Sequence, residues 1–202
     1  MSYSQRALFV AFEGIDNGGK TTLIQDVKAA LESRFPVTIS RELTTDVGRL
    51  LLTRLKRGSA SSFEKTLLFA ADRQRRLDEG FADALSRPGI CLADRWTASA
   101  IAYRCAEDPA LEGYVRAVNA VFPKADLTLL IDISETTSVE RGARAGKNNY
   151  GAALLEKVRK QYGRIARADA FMVIPGERPY ADVRRDVLAK IERALVTSDD
   201  DT

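Results

Sequence analysis

The run Gly14-Ile15-Asp16-Asn17-Gly18-Gly19-Lys20-Thr21 matches the pattern G-x-x-x-x-G-K-[ST] in full, and no other feature constrains this chain as much. Its glycines let the backbone wrap an anion closely, with N–H groups turned inward in conformations that a Cβ would block. Lys20 sets a cation against the β- and γ-phosphates of a nucleotide, and Thr21 offers a hydroxyl to Mg²⁺. The flanks are those the motif requires. The apolar run Ala7–Phe12 precedes it, and a helical stretch follows from about Lys20 to Ser33, with Leu23, Val27, Ala30 and Leu31 on one face. Such a helix points its positive N-terminal end at the same anion. Gly14, Asn17, Gly18, Gly19, Lys20, Thr21 and Thr22 are therefore the expected ATP-binding residues.

The rest of the chain alternates strand and helix. Further apolar runs at Pro36–Ser40, Gly89–Ala93, Leu127–Asp132 and Phe171–Ile174 read as strands. Helical patterns cover Asp46–Arg57, Ser62–Leu85 with a kink near Gly80, about 97–106, 110–121, Glu135–Ala143, a long stretch to about Ala168, and Tyr180–Leu195. Strands apolar throughout and separated by helices predict a five-stranded parallel sheet with helices on both faces, the three-layer α/β fold of P-loop NTPases. With 202 residues and no linker, one domain spanning 1–202 is expected, with an acidic, frayed tail at 197–202. Ligands of such sheets bind at the carboxyl ends of the strands, so the clusters Gly14–Thr22, Arg41-Glu42 and Asp94-Arg95 should converge.

Composition narrows the chemistry. Histidine is absent, which removes His-based acid–base catalysis, Ser-His-Asp hydrolysis and His-ligated metals. Cys91 and Cys105 are too few for a zinc quartet or a disulfide framework. No apolar run approaches the roughly 20 residues of a membrane span, and the N-terminus has no stretch suited to a secretory signal. A cytoplasmic protein without membrane partners is expected. Residues 34–76 hold ten Lys/Arg against four Asp/Glu, a basic segment in a chain of net charge +3, which suggests an anionic ligand. A base-reading N-K-x-D of GTPase switches is missing, and the chain is too short for the further parts of a helicase or transporter. A small-molecule kinase remains.

Longer stretches resemble the thymidylate kinase family. Phe12-Glu13-Gly14-Ile15-Asp16-Asn17-Gly18-Gly19-Lys20-Thr21-Thr22 is similar to its F-E-G-x-D-x-x-G-K-[ST]-T, and Arg41-Glu42 to its pair after the second strand. Leu68-Phe69-Ala70-Ala71-Asp72-Arg73 resembles L-F-x-A-x-R, and Asp94-Arg95-Trp96-Thr97-Ala98-Ser99-Ala100-Ile101-Ala102-Tyr103 resembles D-R-Y-x-x-S-x-x-A-Y. Ala125–Asp132 resembles P-D-L-T-x-x-L-D, and Val158-Arg159-Lys160-Gln161-Tyr162 matches V-R-x-x-Y.

The resemblance implies ATP-dependent phosphorylation of a pyrimidine deoxynucleoside monophosphate, with dTMP the leading acceptor, Mg²⁺ as cofactor, no nucleic-acid partner and a homodimer. It makes Phe69 a stacking platform for the pyrimidine, Arg73 its reader, and Arg41 with Arg95 the grip on the 5′-phosphate. It also implies that Asp16 orders the acceptor, that Ser99 and Tyr103 border it, and that Asp94 holds Mg²⁺ together with Thr21. Residues 141–151 correspond to the family's mobile lid, which includes Tyr150. The family carries a catalytic arginine in the phosphate loop or in the lid. Because Asn17 stands at the variable loop position, Arg141, Arg144 and Lys147 are the lid cations, and Arg144 is the expected catalytic one.

Several positions depart from the pattern. Leu43-Thr44-Thr45 replaces P-G-G, Asn148-Asn149-Tyr150-Gly151 replaces D-R-x-E, Arg104 stands where Gln is common, and Ala100 is apolar where a residue faces the base. These leave two other readings in view: a kinase for another or modified pyrimidine monophosphate, and a nucleotide-binding regulator that has lost transfer. A nucleic-acid-binding ATPase would also use the basic segment, but a small phosphorylated acceptor explains those arginines better.

Overall fold

The computed structural model describes residues 6–146 and 150–200, with side chains described as far as Val196. Five strands, β1 (Leu8–Glu13), β2 (Val37–Arg41), β3 (Ile90–Asp94), β4 (Leu127–Asp132) and β5 (Met172–Pro175), lie within one residue of the apolar runs that predict them. All pair in parallel, in the order β2-β3-β1-β4-β5.

Side chains alternate across a strand, so a central strand needs apolar residues at every position when both faces are covered. Leu8, Val10 and Phe12 of β1 pack with α1 (Lys20–Leu31) and α9 (Tyr180–Asp200) through Leu23, Val27, Val183 and Val187. Phe9 and Ala11 turn the other way, towards Ala70 of α3 (Ser62–Arg76), Trp96 and Phe122. A third cluster joins α5 (Thr97–Glu107) to α8 (Ala152–Ala168) through Ala102, Leu155, Val158 and Tyr162. This is the expected three-layer α/β architecture.

The remaining helices are α2 (Asp46–Lys56), α4 (Ala82–Leu85), α6 (Glu112–Asn119) and α7 (Glu135–Arg144). The kink near Gly80 is a π turn, Leu77–Phe81, between α3 and α4, with Gly80 at φ 116°, where glycine alone is unstrained. The helix expected over 110–121 instead opens with a single 3₁₀ turn, Pro109–Leu111. Asp108, extended ahead of the proline, accepts a hydrogen bond from the Ala110 N–H there. The closing helix runs past Leu195 to Asp200, since no glycine or proline follows to stop it. Asp201 and Thr202, the rest of the expected tail, lie outside the described residues.

Register brings the polar strand ends level. Asp94 pairs with Phe12 on one side and Arg41 on the other. The chain reverses its direction of travel across the sheet between β1 and β3, and the three clusters gather at the carboxyl ends of those strands.

Candidate active site

The phosphate loop is held in shape before any ligand arrives. Gly14 sits at φ 132°, and a Cβ there would lie 2.4 Å from the Ile131 carbonyl oxygen, so only glycine fits between β1 and β4. Asn17 takes a left-handed conformation (φ 57°), and its amide donates to the Ser138 carbonyl at 2.9 Å. The Ser138 hydroxyl donates to the Asp16 carbonyl at 2.8 Å, so α7 is bolted to the loop. Lys20 is buried, and its ammonium donates to the carbonyls of Gly14 (3.0 Å) and Ile15 (2.7 Å). Burial, helped by the nearby Arg95 charge, pushes Lys20 down to about 7.

Beside the loop, Thr21 Oγ1 donates to Asp94 Oδ2 at 2.6 Å, and Arg41 Nε lies 3.8 Å from the same carboxylate oxygen. Arg95, in a left-handed conformation (φ 70°), reaches back over the loop. Its guanidinium donates to the Gly14 carbonyl (2.9 Å), to Ser99 Oγ, Tyr162 Oη and Tyr103 Oη (3.3 Å each), and to Asp16. A non-glycine residue held at such a φ marks a position where the surroundings impose geometry. Tyr103 Oη also donates to Asp16 at 3.1 Å, and burial pushes the Tyr103 phenol up, keeping it a neutral donor.

Glu13, seen in the sequence only as part of a motif, organises this clamp. Fully buried, it accepts from the N–H groups of Trp96 (2.9 Å) and Ser99 (3.3 Å), from Ser99 Oγ, and from Tyr162 Oη at 3.0 Å. The carboxylate so caps the first turn of α5, where its charge is favourable, and fixes the turn that presents Arg95. The signal in the sequence was a lone acid closing an otherwise apolar strand. Tyr162, known from V-R-x-x-Y alone, joins the same network from α8, its Oη 2.7 Å from Ser99 Oγ.

The loop and the clamp open onto one cavity of about 610 Å³, of the size that holds small-molecule ligands. Asp16, Asn17, Gly18, Gly19, Lys20, Thr21 and Thr22 line it. So do Arg41, Asp94 and Arg95, the expected wall residues Phe69, Ser99, Tyr103 and Tyr150, and Arg141 from the lid segment. Tyr150 packs against Tyr103 with ring centroids 5.5 Å apart.

Three expected residues do not line the cavity: Gly14, which lies beneath the loop, Arg73 and Arg144. Arg73 has no exposed surface: its guanidinium lies 5.3 Å from the Trp96 ring and 5.0 Å from Phe122, and donates to Asn119 Oδ1 (2.5 Å) and the Trp96 carbonyl (3.1 Å). Burial pushes it down to about 10, with Glu42 at 3.8 Å opposing the shift. In this structure Arg73 braces the aromatic cluster under the site. Arg144 likewise does not line the cavity. It points outward to Glu140, while Arg141 lines the cavity and donates to the carbonyls of Gly176 (3.2 Å) and Asn17 (3.5 Å). Helical phase is the reason. Ser138 and Gly142 are the buried side of α7; Arg141 and Ala145 flank it, and Arg144 lies about 120° away from Ser138. Lys147, the third lid cation, lies outside the described residues.

The unusual Leu43–Thr45 loop is tied down from α3. Asp72, fully buried, accepts from the Leu43 N–H (3.0 Å) and Thr45 Oγ1 (2.7 Å) and lies 3.4 Å from Arg76 Nε. Thr45 in turn caps α2, accepting from the Gly48 N–H at 3.0 Å. Asp72→Asn leaves Arg76 short of its buried counter-charge, and is expected to cost about 3 kcal/mol. For a domain this size that is a fall of roughly 6–12 °C in Tm. Thermal unfolding of the two proteins checks it.

An anion loop and an arginine clamp that share one small cavity put the molecule among the P-loop nucleoside-monophosphate kinases. A family model described as thymidylate kinase matches residues 12–187. A probable thymidylate kinase of Pyrobaculum calidifontis is 36% identical over 194 residues, covering 94% of this chain and 98% of that protein. One from Pyrobaculum aerophilum is 34% identical, with coverages of 93% and 97%, and the thymidylate kinase of Methylobacillus flagellatus is 33% identical, with 91% and 96%. The chain belongs to the thymidylate kinase family.

Proposed function

We propose that the protein transfers the γ-phosphoryl group of ATP to dTMP, giving ADP and dTDP. The observation that carries this reading is Arg95. It is fixed by Glu13's network, opens onto the same cavity as Lys20, and is joined to the phosphate loop through Asp16 and the Gly14 carbonyl. Two phosphorylated ligands so held meet phosphate to phosphate.

The roles follow from the side chains. The loop N–H groups and Lys20 hold the β- and γ-phosphates. Arg95 and Arg41 take the acceptor's phosphate, for which the planar guanidinium fork is suited. Phe69, Ser99, Tyr103 and Tyr150 enclose the nucleoside. Arg141 adds positive charge where negative charge builds up during transfer. No protein base is needed, because the acceptor phosphate is already anionic at neutral pH. Positioning and cations carry the catalysis.

The oxygen donors present fit Mg²⁺. Thr21 Oγ1 and Asp94 Oδ2 are hard ligands side by side, and such a site draws its other oxygens from nucleotide phosphates and water. No group of three or more His, Cys, Asp or Glu suited to a metal occurs among the described residues, as a site shared with a nucleotide allows. Held by Thr21 and Asp94, the ion would supply positive charge beside the nucleotide's phosphates.

No described helix is long and apolar enough to cross a membrane. A cytoplasmic setting is part of the proposal, supported by two free, buried cysteines. So is a homodimer, supported by Phe63 and Leu67, half-exposed one turn apart on α3, with Phe63 against Tyr114 of α6.

The test is an ADP-release assay with Mg·ATP, scanning dTMP, dUMP, UMP, dCMP, CMP, dGMP and dAMP. A clear preference for dTMP in kcat/KM supports the proposal. A different preferred monophosphate moves the activity to that acceptor, and no response to any acceptor overturns kinase activity.

A further inference from the structure

Helix α8 reaches both halves of the site. Three residues before Tyr162, whose hydroxyl accepts from Arg95 Nη1 at 3.3 Å, the same helix carries Arg159. Arg159 grips the end of β4 with a planar fork: Nε donates to Asp132 Oδ1 at 2.7 Å, and Nη2 to Asp132 Oδ2 at 2.9 Å. Nη1 lies 3.8 Å from Oε2 of Glu135, the first residue of α7. Asp132 is itself a junction. Its carbonyl accepts from the Gly176 N–H at 2.7 Å, and the Gly176 carbonyl accepts from Arg141. The carbonyl just before it, of Ile131, is the one against which Gly14 of the phosphate loop packs. The fork therefore ties the helix that meets Arg95 to the strand end and the helix that set Arg141.

We propose that Arg159 is a positioning residue for phosphoryl transfer: its fork on Asp132 holds α8 against the start of α7, and so sets the distance between Arg95 on the acceptor's side and Arg141 on the donor's. The proposal rests on the kinase reading above and adds to it a residue that does not line the cavity. Stability does not account for the pair. Arg159 is 40% exposed and Asp132 32%, and ion pairs in that setting add little. What a two-point fork adds is direction as well as distance. Transfer asks that two phosphates meet in line, and a displacement of about 1 Å can cost roughly 10²-fold in rate. Binding either nucleotide alone asks for no such agreement between the two sides. Loss of the fork should therefore fall on kcat and spare both KM values.

The experiment measures Tm, kcat and the KM values for ATP and dTMP in the wild type, Arg159→Met, Arg159→Lys, Asp132→Asn and the double variant Arg159→Met/Asp132→Asn. Arg159→Met and Asp132→Asn should each lower kcat by roughly 10–10²-fold, with both KM values within about threefold of the wild type. The double variant should fall no further than the worse single one, since the two changes remove one interaction. Arg159→Lys, a cation without the fork, should recover only part of the loss. Arg164→Met is the control: this arginine of the same helix pairs with Glu112 of α6 at 2.7 Å, and its loss should leave kcat within about twofold. A merely structural pair would lower Tm by a few degrees and leave the kcat of the folded variants alone. That result overturns the proposal, as do additive losses in the double variant or an equal loss in Arg164→Met. If Arg159→Met fails to fold, Asp132→Asn decides. Should the wild type phosphorylate no monophosphate, the kinase reading falls, and amide hydrogen exchange over residues 134–144 decides the positioning role: faster in both single variants if the fork holds α7, unchanged if it does not.

Discussion

Lys20→Ala is expected to lower kcat by roughly 10³-fold or more with every acceptor, an effect measured by the same ADP-release assay. The ammonium group is held in the loop by two backbone carbonyls, at 2.7 and 3.0 Å, without a carboxylate hydrogen bond among the described residues. It is therefore a cation stored in a desolvated place, ready to exchange carbonyl oxygens for phosphate oxygens. Retained turnover in the variant would overturn the assignment of the loop.

Storage of that kind has a stability signature. The folded value of Lys20, about 7, lies below its ordinary 10.5, so between those limits the unfolded chain binds more protons and wild-type stability rises with pH. Below about pH 7 both states carry the proton and the cost of burying the charge is felt in full. Lys20→Met keeps the volume and discards the charge. Its Tm relative to the wild type should be most favourable at pH 6 and should decline steadily towards pH 9. A difference that is flat across this range would show that the loop does not strain its lysine.

The second large effect separates two arginines that the sequence places three residues apart. Arg141→Ala is expected to reduce kcat by roughly 10²–10⁴-fold, the range of a cation that acts on the transition state of phosphoryl transfer. Arg144→Ala should leave kcat within about twofold, because its side chain is 78% exposed and engaged with Glu140. Arg141 is held by carbonyl oxygens, and no carboxylate lies within ion-pair distance among the described residues, so its charge is available to phosphate. Single-turnover kinetics with saturating ATP and acceptor keep product release from masking the difference. The reverse ranking would mean that α7 unwinds or turns when the nucleotides bind, and would return the role to Arg144.

How far the sequence reached depended on whether a residue's role was written nearby. The strands were legible because each is apolar throughout and bounded by polar or turn residues, and the phosphate loop because its glycines and lysine are contiguous. The Thr21–Asp94 pair was legible through motif resemblance, and the register of β1 against β3 makes it physical. The burial of Arg73 is not legible in the sequence because the faces that enclose it, Trp96 and Phe122, come from elsewhere in the chain. Nothing in a helical repeat distinguishes a cation turned into a cavity from one sealed against two aromatic rings. Arg144 was preferred for its nearness to the polar loop. The phase of α7 is fixed instead by Ser138 bonding to Asp16 and Asn17, more than a hundred residues earlier. Asp72 was quoted as part of a motif, yet its hold on the loop that replaces Pro-Gly-Gly is visible only in three dimensions.

The sheet order carries one more consequence, for how the molecule is made. Of these five strands β1 is synthesised first, but it pairs with β3 and β4, and Leu8 meets Ile90 and Val10 meets Leu127. At a translation rate of about 5–20 residues per second, that strand, buried at every position in the folded protein, waits seconds on the ribosome before either neighbour exists. Its two edges are unsatisfied for that time, and such non-local pairings are intrinsically slow to form. The phosphate loop hangs from the end of this strand, so nucleotide binding is among the last properties the nascent chain acquires. The hazard of misassembly falls on the segment that the chemistry most needs.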